Sequence, residues 1–171
     1  MLLKTHFSIG LLAFAILITR EITIPLLGTL AAPTVAATIF YLFGLMVPDI
    51  DSPNSKISRY SPFVHHVTSI FSKHRGLVHS FTTGILVMFA MAVLLSSLEW
   101  NLMLAGWFFI GYSVHLLTDG LTPHGVRPFW PFSHHTFRGP ITTGSFSEKV
   151  ISVIAYSFGL ILIVQSYTNL I

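Results

Sequence analysis

Five apolar stretches, at roughly residues 2–19, 31–47, 77–98, 102–121 and 150–167, take up most of this chain. A helix needs about 20 mostly apolar residues to cross the hydrocarbon core of a bilayer, and these blocks approach or reach that length. Composition points the same way. Of all residues, 53% are hydrophobic and 9% are charged, and mean hydropathy is +0.76; an ordinary soluble domain carries about a quarter charged residues. The sequence predicts an all-α, polytopic integral membrane bundle with about five transmembrane helices, as a single domain over residues 1–171. The absence of cysteine excludes disulfides, thiolate zinc sites and a cysteine nucleophile.

The first stretch competes with a secretory signal peptide, because Lys4 precedes its apolar middle. No small-x-small cleavage site follows at the usual place, so a retained helix is expected. Residues 22–30 are also apolar, but Pro25 and Gly28, with Pro33 beyond, break them. That segment reads as a re-entrant or interfacial piece leading into the second helix.

Five crossings place Lys4, Lys56, Arg59, Lys73, Arg75, Arg127, Arg138 and Lys149 on one side and only Arg20 on the other. Lys and Arg in short loops stay cytoplasmic, so the N-terminus of a multi-pass protein is expected inside. The pI near 9.5 then reflects topology, and no nucleic-acid partner is expected. The two sizeable loops, 51–73 and 122–149, are rich in Pro, Ser, Gly, His and aromatic residues, as irregular interfacial structure would be. Within the second, Phe129-Trp130-Pro131-Phe132 resembles an aromatic anchor at headgroup level.

Ionisable residues are scarce, yet they gather where apolar stretches end. Three of the six Asp and Glu residues lie in Pro48-Asp49-Ile50-Asp51 and His115-Leu116-Leu117-Thr118-Asp119. His6 opens the first stretch, and His74-Arg75-Gly76-Leu77-Val78-His79 opens the third. Histidine and carboxylate are metal ligands, and both are expensive in a bilayer without a partner. His115 and Asp119, four apart on a helix, share a face and can hold one ion; a hydrogen-bonded pair in a polar interior fits equally. Asp49 and Asp51 converge only if the helix has ended, and they also read as a solvated loop start; such a pair suits Mg²⁺ or Ca²⁺ as well. His74 and His79 would lie about 140° apart on a regular helix. The expectation is therefore that His74-Arg75-Gly76 form a turn, with His79 in the first helical turn facing the site. His6 lacks a local partner and gains weight because the other motifs emerge on its side. The doublets His65-His66 and His134-His135 read as solvated, and His124 as an extra ligand or proton donor.

These motifs, in this order and through Asp119-Gly120-x-Thr122, resemble the YdjM-like family of small inner-membrane proteins, described as LexA-regulated membrane-bound metal-dependent hydrolases. The resemblance runs from His6 to about Trp130-Pro131. A fainter similarity links the motif order to zinc-dependent phospholipase C and related single-strand nucleases. That similarity implies a site of Asp49, His79, His115 and Asp119, with His6 in a neighbouring one. A second His-x-x-x-Asp/Glu motif is lacking, since His134-x-x-x-Arg138 does not supply one; one or two ions are expected instead of three.

The expected function is a membrane-embedded metal-dependent hydrolase acting on a phosphoester, either a lipid headgroup or another interfacial substrate, through a metal-activated water. The metal ligands would be His6, Asp49, His79, His115 and Asp119, holding a divalent ion, zinc foremost with Mg²⁺ or Mn²⁺ as alternatives. Asp51 would be general base or a further ligand. His74 and Arg75, with Arg127 in reserve, would bind the anionic group. The rival is a metal-ion or lipid transporter using the same His/Asp cluster, which would place it near the midplane between broken helices.

Overall fold

The computed structural model describes residues 1–19, 23–24, 28–29, 35–49 and 79–168. Five α-helices form the described fold: α1 (Leu3–Thr19), α2 (Val35–Met46), α3 (Phe81–Ser97), α4 (Met103–Gly120) and α5 (Phe146–Thr168). A 3₁₀ turn, Val47–Asp49, extends α2. Between α1 and α2, Thr23–Ile24 and Gly28–Thr29 pair antiparallel, with Thr23 opposite Thr29. That is the part of the broken apolar segment that can be described.

Helix α4 is the hub. It packs against α2, α3 and α1, while α5 packs along α1. Its buried residues, among them Leu104, Trp107, Phe108, Gly111, Tyr112, His115 and Thr118, cover about half of its circumference. The stripe Leu104, Phe108, Gly111, His115 and Thr118 follows the three-to-four-residue spacing of a single face. The apolar packing therefore leads directly into the polar residues at the C-terminal end.

Two glycines set the distance between α2 and α4. A Cβ at Gly44 would run into the Phe108 carbonyl oxygen, and one at Gly111 into the Tyr41 carbonyl oxygen. The backbones approach closely because neither residue carries a side chain. Tyr41, fully buried beside this crossing, donates its hydroxyl to the Gly10 carbonyl at 2.7 Å and so ties α1 to α2.

Outward faces are apolar. Val35, Ile39, Phe89, Val93, Val153 and Phe158 are each more than half exposed. By length and composition, α5 is long and apolar enough to cross a membrane, over Phe146–Ser166. Leu3–Thr19, Val35–Asp49 and Phe81–Ser97 are apolar but shorter.

The helix boundaries differ from the sequence expectation in three places. Helix α3 starts at Phe81 and not near residue 77, because Ser80 caps it, accepting from the Thr83 amide at 3.2 Å. Helix α5 starts at Phe146 and not at 150, because Ser145 accepts from the Glu148 amide at 3.2 Å and so begins the helix inside the expected loop. Helix α2 ends at Met46, since Pro48 has no N–H to continue the ladder and the chain tightens into the 3₁₀ turn.

Candidate metal centre

The N-termini of α1, α3 and α5 and the C-termini of α2 and α4 meet at one end of the bundle. Leu2 donates its amide to Glu148 Oε1 at 2.7 Å, bringing the start of α1 to the start of α5. The Phe81 amide donates to the Pro128 carbonyl at 2.8 Å, docking the start of α3 on the loop after α4. Successive helices thus alternate in direction, and the ends carrying His6, Asp49, His79, His115 and Asp119 come together.

His115 is fully buried, and its Nδ1 lies 2.8 Å from the Leu45 carbonyl oxygen. The last carbonyls of a helix lack intrahelical partners, and the close α2–α4 crossing puts this one within reach. A carbonyl can only accept, so Nδ1 carries the proton. In the neutral ring the Nε2 lone pair then faces away from α2. It lies 3.5 Å from Asp119 Oδ2 and 3.8 Å from Asp49 Oδ1.

His6 is also buried and stacks flat on His115, with ring centroids 4.0 Å apart. Its Nδ1 meets Thr118 Oγ1 at 2.9 Å, and its Nε2 lies 3.2 Å from Asp119 Oδ1. The Met1 amino group donates to the same carboxylate oxygen at 2.7 Å. His79 Nε2 lies 3.7 Å from Asp119 Oδ2. Asp119 therefore turns one oxygen to His6 and the other to His79 and His115.

Two groups of ligand atoms lie within 4.8 Å of one another: His6, Asp49 and His115, and His79, His115 and Asp119. The buried Nε2 atoms of His6 and His115 make no hydrogen bond among the described residues. Buried polar nitrogens are seldom left so. Zinc held at about 2.0–2.2 Å in a tetrahedron needs donor atoms about 3.3–3.6 Å apart, close to the spacings found. The donor set of imidazole nitrogens and carboxylate oxygens suits a borderline divalent ion. His115 has one free lone pair and can serve only one ion, so the two groups compete for it.

The structure thus brings together the five residues that the sequence singled out as metal ligands. His6, expected to lack a local partner, touches Thr118, Asp119 and His115. His79 lies in the turn before α3 and not in its first helical turn, for Ser80 is the cap. Asp51, His74 and Arg75 lie outside the described residues, as do His65 and His66. His124, Arg127, His134 and His135 are exposed on the loop after α4 and belong to neither group. Sequence reasoning missed Glu148, Thr118 and the Leu45 carbonyl. For Glu148 a signal existed: Ser145-x-x-Glu148 before an apolar run is the pattern of a capping box.

An all-helical bundle with a His/Asp cluster at one end, wrapped in apolar surface, defines the class. Residues 1–170 match the family described as YdjM inner membrane protein, and the chain belongs to that family. It is 33% identical over 110 residues to the "Uncharacterized protein YvsG" of Bacillus subtilis (strain 168), covering 63% of this chain and 66% of the relative. It is also 33% identical over 105 residues to the "Inner membrane protein YdjM" of Escherichia coli (strain K12) and of Shigella flexneri, covering 56% of this chain and 49% of each relative. The chain spans between about half and just under two thirds of the length of these curated relatives. No solved structure matches it.

Proposed function

We propose that this protein is a polytopic, membrane-embedded, metal-dependent hydrolase whose site lies at the cytoplasmic end of the helix bundle. The observation that carries this reading is the pair of buried, lone-pair-bearing Nε2 atoms facing carboxylate oxygens at the edge lengths of a divalent coordination sphere. Apart from the Met1 amino group on Asp119 Oδ1, these acceptors face one another without a proton between them among the described residues, and a cation would turn their repulsion into binding. His6, Asp49, His79, His115 and Asp119 would hold it. Such an ion, when bound, supplies an acidified water and polarises a phosphoryl oxygen.

The chain's own residues supply the rest. The proton on each Nδ1 is held by an acceptor behind the ring, which fixes both imidazoles with Nε2 inward. Asp49, about one-third exposed, is the most open of the five ligands, and Asp51 would accept a proton from attacking water. Arg75 and His74, with Arg127 in reserve, would hold the anionic group.

Placement at the helix ends favours chemistry at headgroup depth over transport, because transport sites tend to lie near the midplane. The exposed apolar faces of α1, α2, α3 and α5 are suited to lipid. Helices of 17 residues span about 26 Å, so α1 and α3 cross a bilayer with local thinning or with help from their flanks. A lipid phosphoester is the substrate class this depth favours.

The test is metal analysis of the purified protein, followed by turnover of a panel of lipid and soluble phosphoesters. One or two equivalents of zinc, with chelator-sensitive cleavage of a lipid phosphoester, is the expected result. Metal-free protein that refuses added zinc would overturn the proposal. Metal binding without cleavage of any phosphoester would overturn the catalytic half of it.

A further inference from the structure

Thr118 lies on α4 between the candidate ligands His115 and Asp119 and makes more contacts than a helix threonine needs. It is buried, and its Oγ1 lies 2.7 Å from both the Val114 and His115 carbonyl oxygens and 2.9 Å from His6 Nδ1. A hydroxyl has one proton to give. Both carbonyls can only accept, so that proton is directed at the helix backbone. Toward His6 the Thr118 oxygen has a lone pair to offer, and His6 Nδ1 must be the donor. The bond therefore has a direction, set by the backbone of α4 and passed through one hydroxyl to a ring on α1, 112 residues away in the chain.

We propose that Thr118 is a positioning residue that fixes the tautomer and orientation of His6, holding its Nε2 as a lone pair aimed at the metal centre. This rests on the metal reading for its purpose, but the proton placement stands on the hydrogen bonds alone. The design differs from that at His115, where a main-chain carbonyl does the same task. The α2 backbone comes within reach of His115 only at the Gly44–Gly111 crossing. His6 stacks on the His115 ring from α1, and its acceptor is a side chain. Thr118 is also the residue before Asp119 and three after His115, so one turn of α4 holds two ligands and the group that orients a third.

The apolar groove between α2 and α3 has no polar group to choose an occupant. Glu148, buried and accepting from the amides of Leu2 and Gly144, anchors the first turn of α1 without touching a ligand ring.

The experiment reads the tautomer directly. Nitrogen-15 NMR of ring-labelled histidine in the metal-free full chain should show His6 protonated at Nδ1. Finding Nε2 protonated in the wild type would overturn the proposal, whatever the metal does. Thr118→Val keeps the shape but removes the acceptor, and should release His6 into a mixture of tautomers while His115 keeps Nδ1–H. Thr118→Ser should restore the wild-type pattern. Zinc affinity, measured by competition with a chelating dye, should fall by about 10–100-fold in Thr118→Val and return in Thr118→Ser. An unchanged tautomer and affinity in Thr118→Val would overturn the assignment. Wild-type protein that shows the expected tautomer but binds no zinc would sink the hydrolase reading and leave the proton placement intact.

Discussion

The two ends of the bundle are held together by different forces. At the site end, the buried polar side chains have directed partners: His115 the Leu45 carbonyl, His6 Thr118, and Glu148 the Leu2 amide. At the far end, Ala37, Tyr41, Leu95, Leu104, Ala105 and Trp107 form an apolar cluster, beside a groove lined by Ile39, Phe40, Phe43, Met91, Leu94, Leu95, Leu98 and Trp100. Packing there is non-directional and tolerates exchange of similar shapes. Hydrogen bonding at the site end does not, because a buried polar atom stripped of its partner keeps its full desolvation cost. The far end makes a bundle; the site end makes one arrangement of five side chains.

On the proposed topology, the two ends lie on opposite sides of a membrane. The expected result is all or none: a cysteine at Ser147, beside the site, labels only from the cytoplasm, and one at Ser97, at the far end of α3, only from outside. Labelling of both from one side would remove the crossing of α3 and the proposed orientation.

Next in size is Asp119→Asn. Its carboxylate faces three imidazoles, so the change should abolish metal retention and hydrolysis together, with Nδ1 contacts at His6 and His115 unaltered. Retained metal with lost activity would move Asp119 from ligand to catalytic group.

The residues that cluster at the site end were largely legible in the sequence, for a physical reason. Ionisable residues are so costly near lipid that a chain with six acids shows its site by where it places them. The helices were legible as apolar blocks, but their starts were not. Ser80 and Ser145 begin α3 and α5 through hydrogen bonds to amides three residues on, a signal that hydropathy does not register. His6 could be nominated and not placed, because its partners come from α4, more than 100 residues away. The Leu45 carbonyl was invisible for a related reason. It depends on the Gly44–Gly111 approach, and a lone glycine in an apolar helix does not announce which helix it meets.

Arg75→Ala should come third. With the ligands untouched, metal content should stay at the wild-type level while kcat/KM for an anionic substrate falls by about 2–3 kcal/mol of transition-state stabilisation. Metal loss would show instead that the arginine orders the site, and undiminished turnover would pass its role to Arg127.

Gly111→Ala tests how the packed region supports the polar one. The new Cβ meets the Tyr41 carbonyl oxygen and must push α2 from α4, at about 1–3 kcal/mol of stability. The Leu45 carbonyl moves with α2, so metal affinity should fall as well, and His115 should lose its single tautomer. Loss of stability alone would show that His115 finds its acceptor without the close crossing.

The smallest effect is expected at Trp100. It borders the apolar groove but is 57% exposed, and its amide, which bonds the Leu95 carbonyl at 2.8 Å, survives any change of side chain. Trp100→Leu should therefore alter thermal stability by less than about 1 kcal/mol and leave zinc content and histidine tautomers as they were. On the proposed topology the indole would mark the membrane–water boundary, so the change should show itself in partition between thin and thick bilayers before it shows in folding. A fall in zinc affinity would be the informative surprise. It would mean that packing at the far end reaches the ligands through α4, and that the two ends form one cooperative unit.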